Sequence, residues 1–416
     1  MVLVLAAVGV VVAVFVGFNI GGSSTGVAFG PSVGSRLLRK PTAATLFTLF
    51  AFLGAWTVGR NVIDTMSSSI VPAAQFSPVA SVGVLFFTGL SLLVSNVYGV
   101  PASTSMTAVG AIVGLGLATG TLNQALMFTI LSAWIIAPLV AFGCGAVIGR
   151  YIYPYLDRRI AFTRFESNLV WIDRSGLIPR PRFNEHASPR DIVGSVMVVV
   201  IACYMAFSAG ASNAANAVAP LVGAGGPLTV DQGVLVAVFA FGLGGFTIAR
   251  RTLDTVGDDI TELPILAALI VSVVGGTIIT ILSALGIPAS LAVSTTCCII
   301  GLGWGRATRA ATVIELATPD LTPDHDVTVA TGALAASRAD DVPTTPTVGD
   351  LERGESPPPK PEAAVPSVPD IGEQEPPELD RRSLFDPDAV KRIVLLWVLT
   401  PLLALVGSYP LFLVVL

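Results

Sequence analysis

Apolar runs long enough to cross a bilayer, about 20 residues each, recur along this chain with short polar interruptions between them. The pattern predicts helical spans at about Met1–Val16, Ala43–Val58, Val79–Val97 and Leu122–Ile148. Further spans are predicted from Ile192, and at about Val230–Ile248, Leu263–Leu285 and Ile393–Leu416. No basic segment precedes the first run, so it reads as a transmembrane helix and not as a cleaved leader. Four interruptions stand out. Val16–Pro31 and Phe207–Pro220 are rich in Gly, Ala, Ser and Asn inside otherwise apolar sequence. Gly99–Gly110 and Gly286–Cys298 each place a Gly/Pro break ahead of hydroxyl residues. Lipid offers free backbone groups no partner, so such breaks survive at membrane depth only when buried in protein or lining a wet cavity. The first pair predicts helices broken in mid-membrane, and the second predicts re-entrant hairpins or broken helices.

The interruptions come in matching order. Setting Gly17 on Gly210 aligns Asn19 with Ser212, Ile20 with Asn213 and Ser23 with Asn216. Ser103-Thr104-Ser105 then maps on Ser294-Thr295-Thr296, Gly110 on Gly301, and Arg60…Asp64-Thr65 on Arg251…Asp254-Thr255, at nearly constant spacing. The chain therefore reads as an all-α polytopic membrane protein built from two repeats. Residues 1–149 form the first, 150–190 a hydrophilic connection, 191–309 the second, 310–388 an acidic Pro-rich loop and 389–416 a final span. The turn after the first interruption is basic (Arg36, Arg39, Lys40), whereas its counterpart, Gly223–Gln232, carries Asp231 and no basic residue. That asymmetry predicts two inverted-topology repeats.

Composition agrees: 53% of residues are hydrophobic and 12% charged, against roughly 25% charged in soluble proteins. The net charge of −5 belongs to 310–388, where acids far outnumber bases, and the rest of the chain is net basic. Arg150, Arg158, Arg159, Arg164, Arg174, Arg180, Arg182 and Arg190 place the 150–190 connection on the cytoplasmic side. Residues 317–388 have too few apolar side chains to offset their chain entropy and are expected to be disordered. Cys144, Cys203, Cys297 and Cys298 lack C-x-x-C spacing and read as small buried hydrophobes.

The chemistry implied is that of anion binding. Broken helices present bare N–H groups and the positive end of a dipole. The hydroxyls of Ser103, Thr104, Ser105, Ser294, Thr295 and Thr296 would add neutral donors. Asn19, Ser23, Ser212, Asn213 and Asn216 would complete a cage or hold a cation through side-chain oxygens. Gly, Ala, Ser and Thr also serve tight helix packing in membranes, a competing account of each residue taken singly. The span-edge charges Arg60, Asp64, Arg251, Asp254, Asp258, Asp259 and Glu262 read as interfacial anchors or ion pairs, or as a gate. The two histidines, His186 and His325, lie in hydrophilic loops, which argues against a Ser–His hydrolase at Ser212 and against His-ligated zinc. There is no G-x-x-x-x-G-K-[ST] loop for ATP. The expectation is a non-enzyme with no catalytic residues, no metal ligands, no cofactor and no nucleic-acid partner.

On these motifs the chain resembles the inorganic phosphate transporter (PiT-type) family of cation-coupled permeases. That family carries G-A-N-D-x-A-N-A and P-x-S-T-T-H in each half. Here Gly210–Ala217 reads G-A-S-N-A-A-N-A and Gly17–Ser24 reads G-F-N-I-G-G-S-S; the hairpins read P-A-S-T-S-M at 101–106 and S-T-T-C at 294–297. Asp254–Thr261 looks like the family's E-T-x-G-x-x-I-T segment. The resemblance implies a multi-pass cell-membrane permease moving inorganic phosphate or a similar oxyanion, with Na+ or H+ as coupling cation, and it is compatible with a homodimer. The signature Asp is Ile20 in one half and Asn213 in the other, and the motif His is Met106 and Cys297. Two carboxylates, the natural cation ligands, are thus replaced. Sulfate as the anion, or a non-transporting sensor or scaffold on the same fold, remain alternatives, with a channel third.

Overall fold

The computed structural model describes residues 2–35, 37–97, 103–159, 170–173, 180–183, 189–223, 226–247, 249, 265–317 and 387–415. The first half comprises α1 (Val2–Gly34), α2 (Lys40–Trp56), α3 (Gly59–Asp64), α4 (Pro78–Val97), α5 (Thr104–Thr119), α6 (Gln124–Val147) and α7 (Tyr153–Arg159). The second comprises α8 (Pro189–Val222), α9 (Val230–Thr247), α10 (Ile265–Ala284), α11 (Leu291–Ala317) and α12 (Pro387–Val415). Residues 1–310 and 384–416 make one compact unit; of the other, 311–383, only the end of α11 is described. Most of the predicted disordered loop, and the charges from Arg251 to Glu262, lie outside the described residues. Helix reaches into both ends of the predicted 310–388 loop, to Ala317 and from Pro387.

Among the described residues, six helices are long and apolar enough to cross a membrane, and α2 with α3 makes a seventh, bent by 61°. Their outward side chains, among them Leu3, Phe128, Ile135, Leu139 and Phe239, are exposed, as a lipid-facing surface requires. One departure from all-helical architecture falls in the basic connection, where β1 (Val170–Asp173) pairs antiparallel with β2 (Arg180–Phe183).

A larger correction concerns the Gly/Ser-rich interruptions. α1 runs unbroken through 17–30 and α8 through 207–220, so neither is a broken helix. The physical reason is that lipid changes the balance for glycine. A mid-helix Gly costs about 1 kcal/mol relative to Ala, whereas each backbone group left unpaired in hydrocarbon costs several. The chain stays helical, and the small residues serve close approach instead. The hairpins fare differently, because there one helix ends and another begins. α4 ends at Val97 and α5 begins at Thr104; α10 ends at Ala284 and α11 begins at Leu291, with Gly286 at φ 73° and Pro288 between them.

Four helix crossings hold the unit together, and they come in reciprocal pairs. α1 crosses α9 where a Cβ on Gly21 would strike the Phe241 carbonyl and one on Gly244 the Phe18 carbonyl. α8 crosses α2 where Gly210 meets Ala51 and Gly54 meets Phe207 in the same way. α5 crosses α12 at Gly110 against Pro401 and Gly114 against Ser408, and Ser408 Oγ donates to the Ala111 carbonyl at 3.2 Å. α11 crosses α6 at Gly301 against Phe142 and Gly305 against Ala146. Four helices of the first half, α1, α2, α5 and α6, thus pack on four of the second, α9, α8, α12 and α11.

Candidate functional site

The crossings bring α5 on one side, and α10 with the break after it on the other, against the middle of α8. Its polar residues form two stripes at helical spacing. Ser208 and Ser212, four apart, face the second hairpin: Ser208 Oγ donates to the Gly276 carbonyl at 3.0 Å and Ser212 Oγ to the Ala289 carbonyl at 3.1 Å. Asn213 and Asn216, three apart, face the first. Thr104 Oγ1 donates to Asn213 Oδ1 at 2.8 Å. Asn216 Nδ2 lies 3.2 Å from Thr104 Oγ1, 3.0 Å from Ser105 Oγ and 3.1 Å from Asn213 Oδ1. Ser105, Asn213 and Asn216 are buried, and Thr104 is half-buried. These four side chains form a neutral cluster of amides and hydroxyls; among the described residues, no charged side chain is buried in the core.

Two helix N-termini converge here. Ser103 caps α5, its Oγ accepting from the Met106 amide at 3.3 Å. Ser290 caps α11 in the same way, accepting from the Val293 amide at 3.3 Å. The two first turns meet through Met106, Val293 and Trp397, with Cys297 and Trp134 packed against them. Trp134 Nε1 donates to the Pro288 carbonyl at 2.7 Å and so anchors the second break. N-terminal N–H groups and the helix dipole favour an anion at such a junction.

The predicted residues divide cleanly. Thr104, Ser105, Asn213 and Asn216 are brought together, with Ser103 as the cap beneath them and Ser212 on the adjoining stripe. Ser294 is buried one turn inside α11, and Thr295 bonds back to the Leu291 carbonyl at 2.9 Å; Thr296 is half-buried. Asn19 and Ser23 do not join the site. Asn19 Nδ2 donates to the Phe15 carbonyl of its own helix at 2.8 Å, and Ser23 is exposed. Their helix buries Ala13, Val16, Gly17 and Ile20 instead. A continuous α1 aims Asn19 and Ser23 away from that stripe, which is why an expectation built on a broken helix misplaces them. The caps and anchors Ser290, Ser208 and Trp134 are not among the predicted residues. Ser290 sits directly before an apolar helix two residues after a proline, and that signal identifies it.

An apolar groove between α6 and α10, lined by Phe128, Ile136, Val140, Ile278, Ile281 and Leu282, presents almost no polar surface and suits no oxyanion.

Multiple apolar spans, paired hairpins and a buried neutral cluster where the first of them meets α8 define the chain as a membrane transporter of the permease class. It belongs to the phosphate transporter family, whose model matches residues 20–408. The sulfate permease CysP of Bacillus subtilis is 32% identical over 70% of this chain and 75% of its own. The chloroplastic inorganic phosphate transporter 2-1 of Arabidopsis thaliana is 25% identical over 77% of this chain and 69% of its own. A solved sodium-dependent phosphate transporter shares the fold at 16% identity and a TM-score of 0.62, covering 99% of this chain and 98% of its own.

Proposed function

We propose that the chain is a secondary permease that moves inorganic phosphate across the cell membrane by alternating access, with the Thr104–Ser105–Asn213–Asn216 cluster as its central site. The observation that carries this reading is that cluster, buried where the first hairpin helix starts against mid-α8. Ser103 and Ser212 support it from the α5 cap and the neighbouring stripe. Ser294, Thr295 and Thr296, in the first turns of α11, would add hydroxyls beside a second helix N-terminus, whose dipole favours an anion. The reciprocal crossings support two inverted repeats that rock about this shared site. The phosphate-transporting relative supports the substrate.

A coupling cation, Na+ or H+, has fewer ligands here than a carboxylate-bearing site would offer. Ile20 is buried and apolar, so the first half supplies no oxygen at its signature position. In the second half, Asn213 supplies a neutral one. Sulfate is the second reading. It is favoured by the 32% identical sulfate permease and by a site whose described residues carry no fixed charge.

Uptake of labelled phosphate into proteoliposomes, with and without sodium or proton gradients, tests the proposal. Uptake that accumulates against a gradient of either cation supports it. No uptake of phosphate or sulfate under any gradient would refute it.

A further inference from the structure

We propose that Asn216 reads a hydrogen on the substrate: its side-chain carbonyl accepts a hydrogen bond from a protonated oxygen, so the site selects phosphate and arsenate over sulfate and selenate. The inference rests on the reading of the cluster as the oxyanion site.

Asn216 is 1% exposed, and its Oδ1 has no hydrogen-bond partner among the described residues. The orientation of the amide follows from its surroundings. The nitrogen faces three oxygens at 3.0–3.2 Å, one of them the Asn213 carbonyl; an oxygen in its place would set carbonyl against carbonyl. The other buried side-chain atoms without partners are the hydroxyls of Ser32, Thr280 and Ser283, none of them hydrogen-bonded into the cluster. Asn216 is therefore the group in the cluster that still asks for a donor. Four residues on, Pro220 lies inside α8. It has no N–H, so the ladder bond to the Asn216 main-chain carbonyl is missing too. Acceptor capacity is thus concentrated at one residue of a site otherwise furnished with hydroxyl and amide donors.

Near neutral pH phosphate and arsenate each retain at least one O–H, and sulfate and selenate retain none. A proton-bearing anion can accept from Ser105 and the helix N-termini and donate to Asn216. A proton-free anion sets an acceptor against Asn216 Oδ1 and leaves that buried carbonyl unpaired. Sites built to bond a substrate O–H reject analogues that lack it far more strongly than pockets reject a missing methylene. The two pairs separate this effect from size: arsenate and selenate are both enlarged relative to their partners, and only arsenate keeps the proton.

The test is competition against labelled phosphate uptake in proteoliposomes by arsenate, sulfate and selenate at fixed neutral pH. Arsenate is expected to compete at concentrations similar to phosphate, with sulfate and selenate weaker by on the order of 100-fold or more. In Asn216→Ala the gap should shrink below about 10-fold, whereas Asn216→Asp, which keeps an acceptor, should retain it. Each ratio is internal to its variant, so reduced expression does not disturb it. Sulfate or selenate competing as well as arsenate in the wild type, or an unchanged gap in Asn216→Ala, would overturn the inference and leave the permease reading standing. Uptake of none of the four anions would remove that reading, and the inference with it.

Discussion

Thr104 holds the cluster together, because its hydroxyl donates to Asn213 while accepting from Asn216. Thr104→Val keeps the shape and deletes both bonds. Two buried amide groups then lose a partner, at about 1–3 kcal/mol each. The expected outcome is a rise of roughly 10-fold or more in KM for phosphate, with Thr104→Ser close to wild type; kinetics of uptake read this directly. Asn213→Asp restores a carboxylate where Thr104 and Asn216 already converge. A buried charge needs a counter-ion, so phosphate uptake by this variant should become more dependent on sodium than that of the wild type. An unchanged sodium profile would count against placing position 213 at a cation-accessible site. At this scale Asn213 and Asn216 were named in the sequence for a break that α8 does not have, and they meet Thr104 because, three apart on a continuous helix, they share a face. Where Asn19 and Ser23 fall was not legible, because their spacing has meaning only once the helix is known to be continuous.

Between elements, glycine permits close approach where the sequence pattern suggests chain breaks. Gly210 lies against the Ala51 backbone and Gly54 against Phe207, so a side chain at either must push α8 and α2 apart. Gly210→Val is expected to destabilise by about 1–3 kcal/mol, in the range of overpacked cores. Gly143, on α6, has nothing within 4 Å of its would-be Cβ, and Gly143→Ala should stay within about 0.5 kcal/mol of wild type. Thermal unfolding of the two variants in detergent checks the contrast; equal losses would contradict the crossing geometry. Span positions were readable from hydropathy to within a few residues, as α9 and α10 show. The difference between a broken helix and a continuous one was not, since Gly, Ser and Asn in apolar sequence fit both. Proline alone did not separate them: Pro288 sits in a real break, whereas Pro31 and Pro220 lie inside the continuous α1 and α8. The hairpin of β1 and β2 left no clear trace, being two four-residue strands in an Arg-rich segment.

Across the whole molecule, the reciprocal crossings tie each half to the other, so neither half moves without sliding glycine-lined contacts. At one edge Arg60, stacked 4.3 Å over Trp56, reaches from the bent α2–α3 span to Asp231 at the start of α9, 2.6 Å away. With 35% and 58% of their side chains exposed, the pair adds less than about 1 kcal/mol to stability. Asp231→Asn should leave Tm nearly unchanged, and any effect should appear in the uptake rate and vanish at high salt. A large drop in Tm would mean that the pair is structural. The central claim is that the neutral cluster where the first hairpin helix starts against mid-α8 holds the anion. Equilibrium binding of labelled phosphate to the purified protein tests it most directly, comparing wild type with Ser105→Ala, Asn216→Ala and the distant Asn19→Ala. The account predicts weakened binding in the first two variants and wild-type binding in the third; undiminished binding in both cluster variants would contradict it.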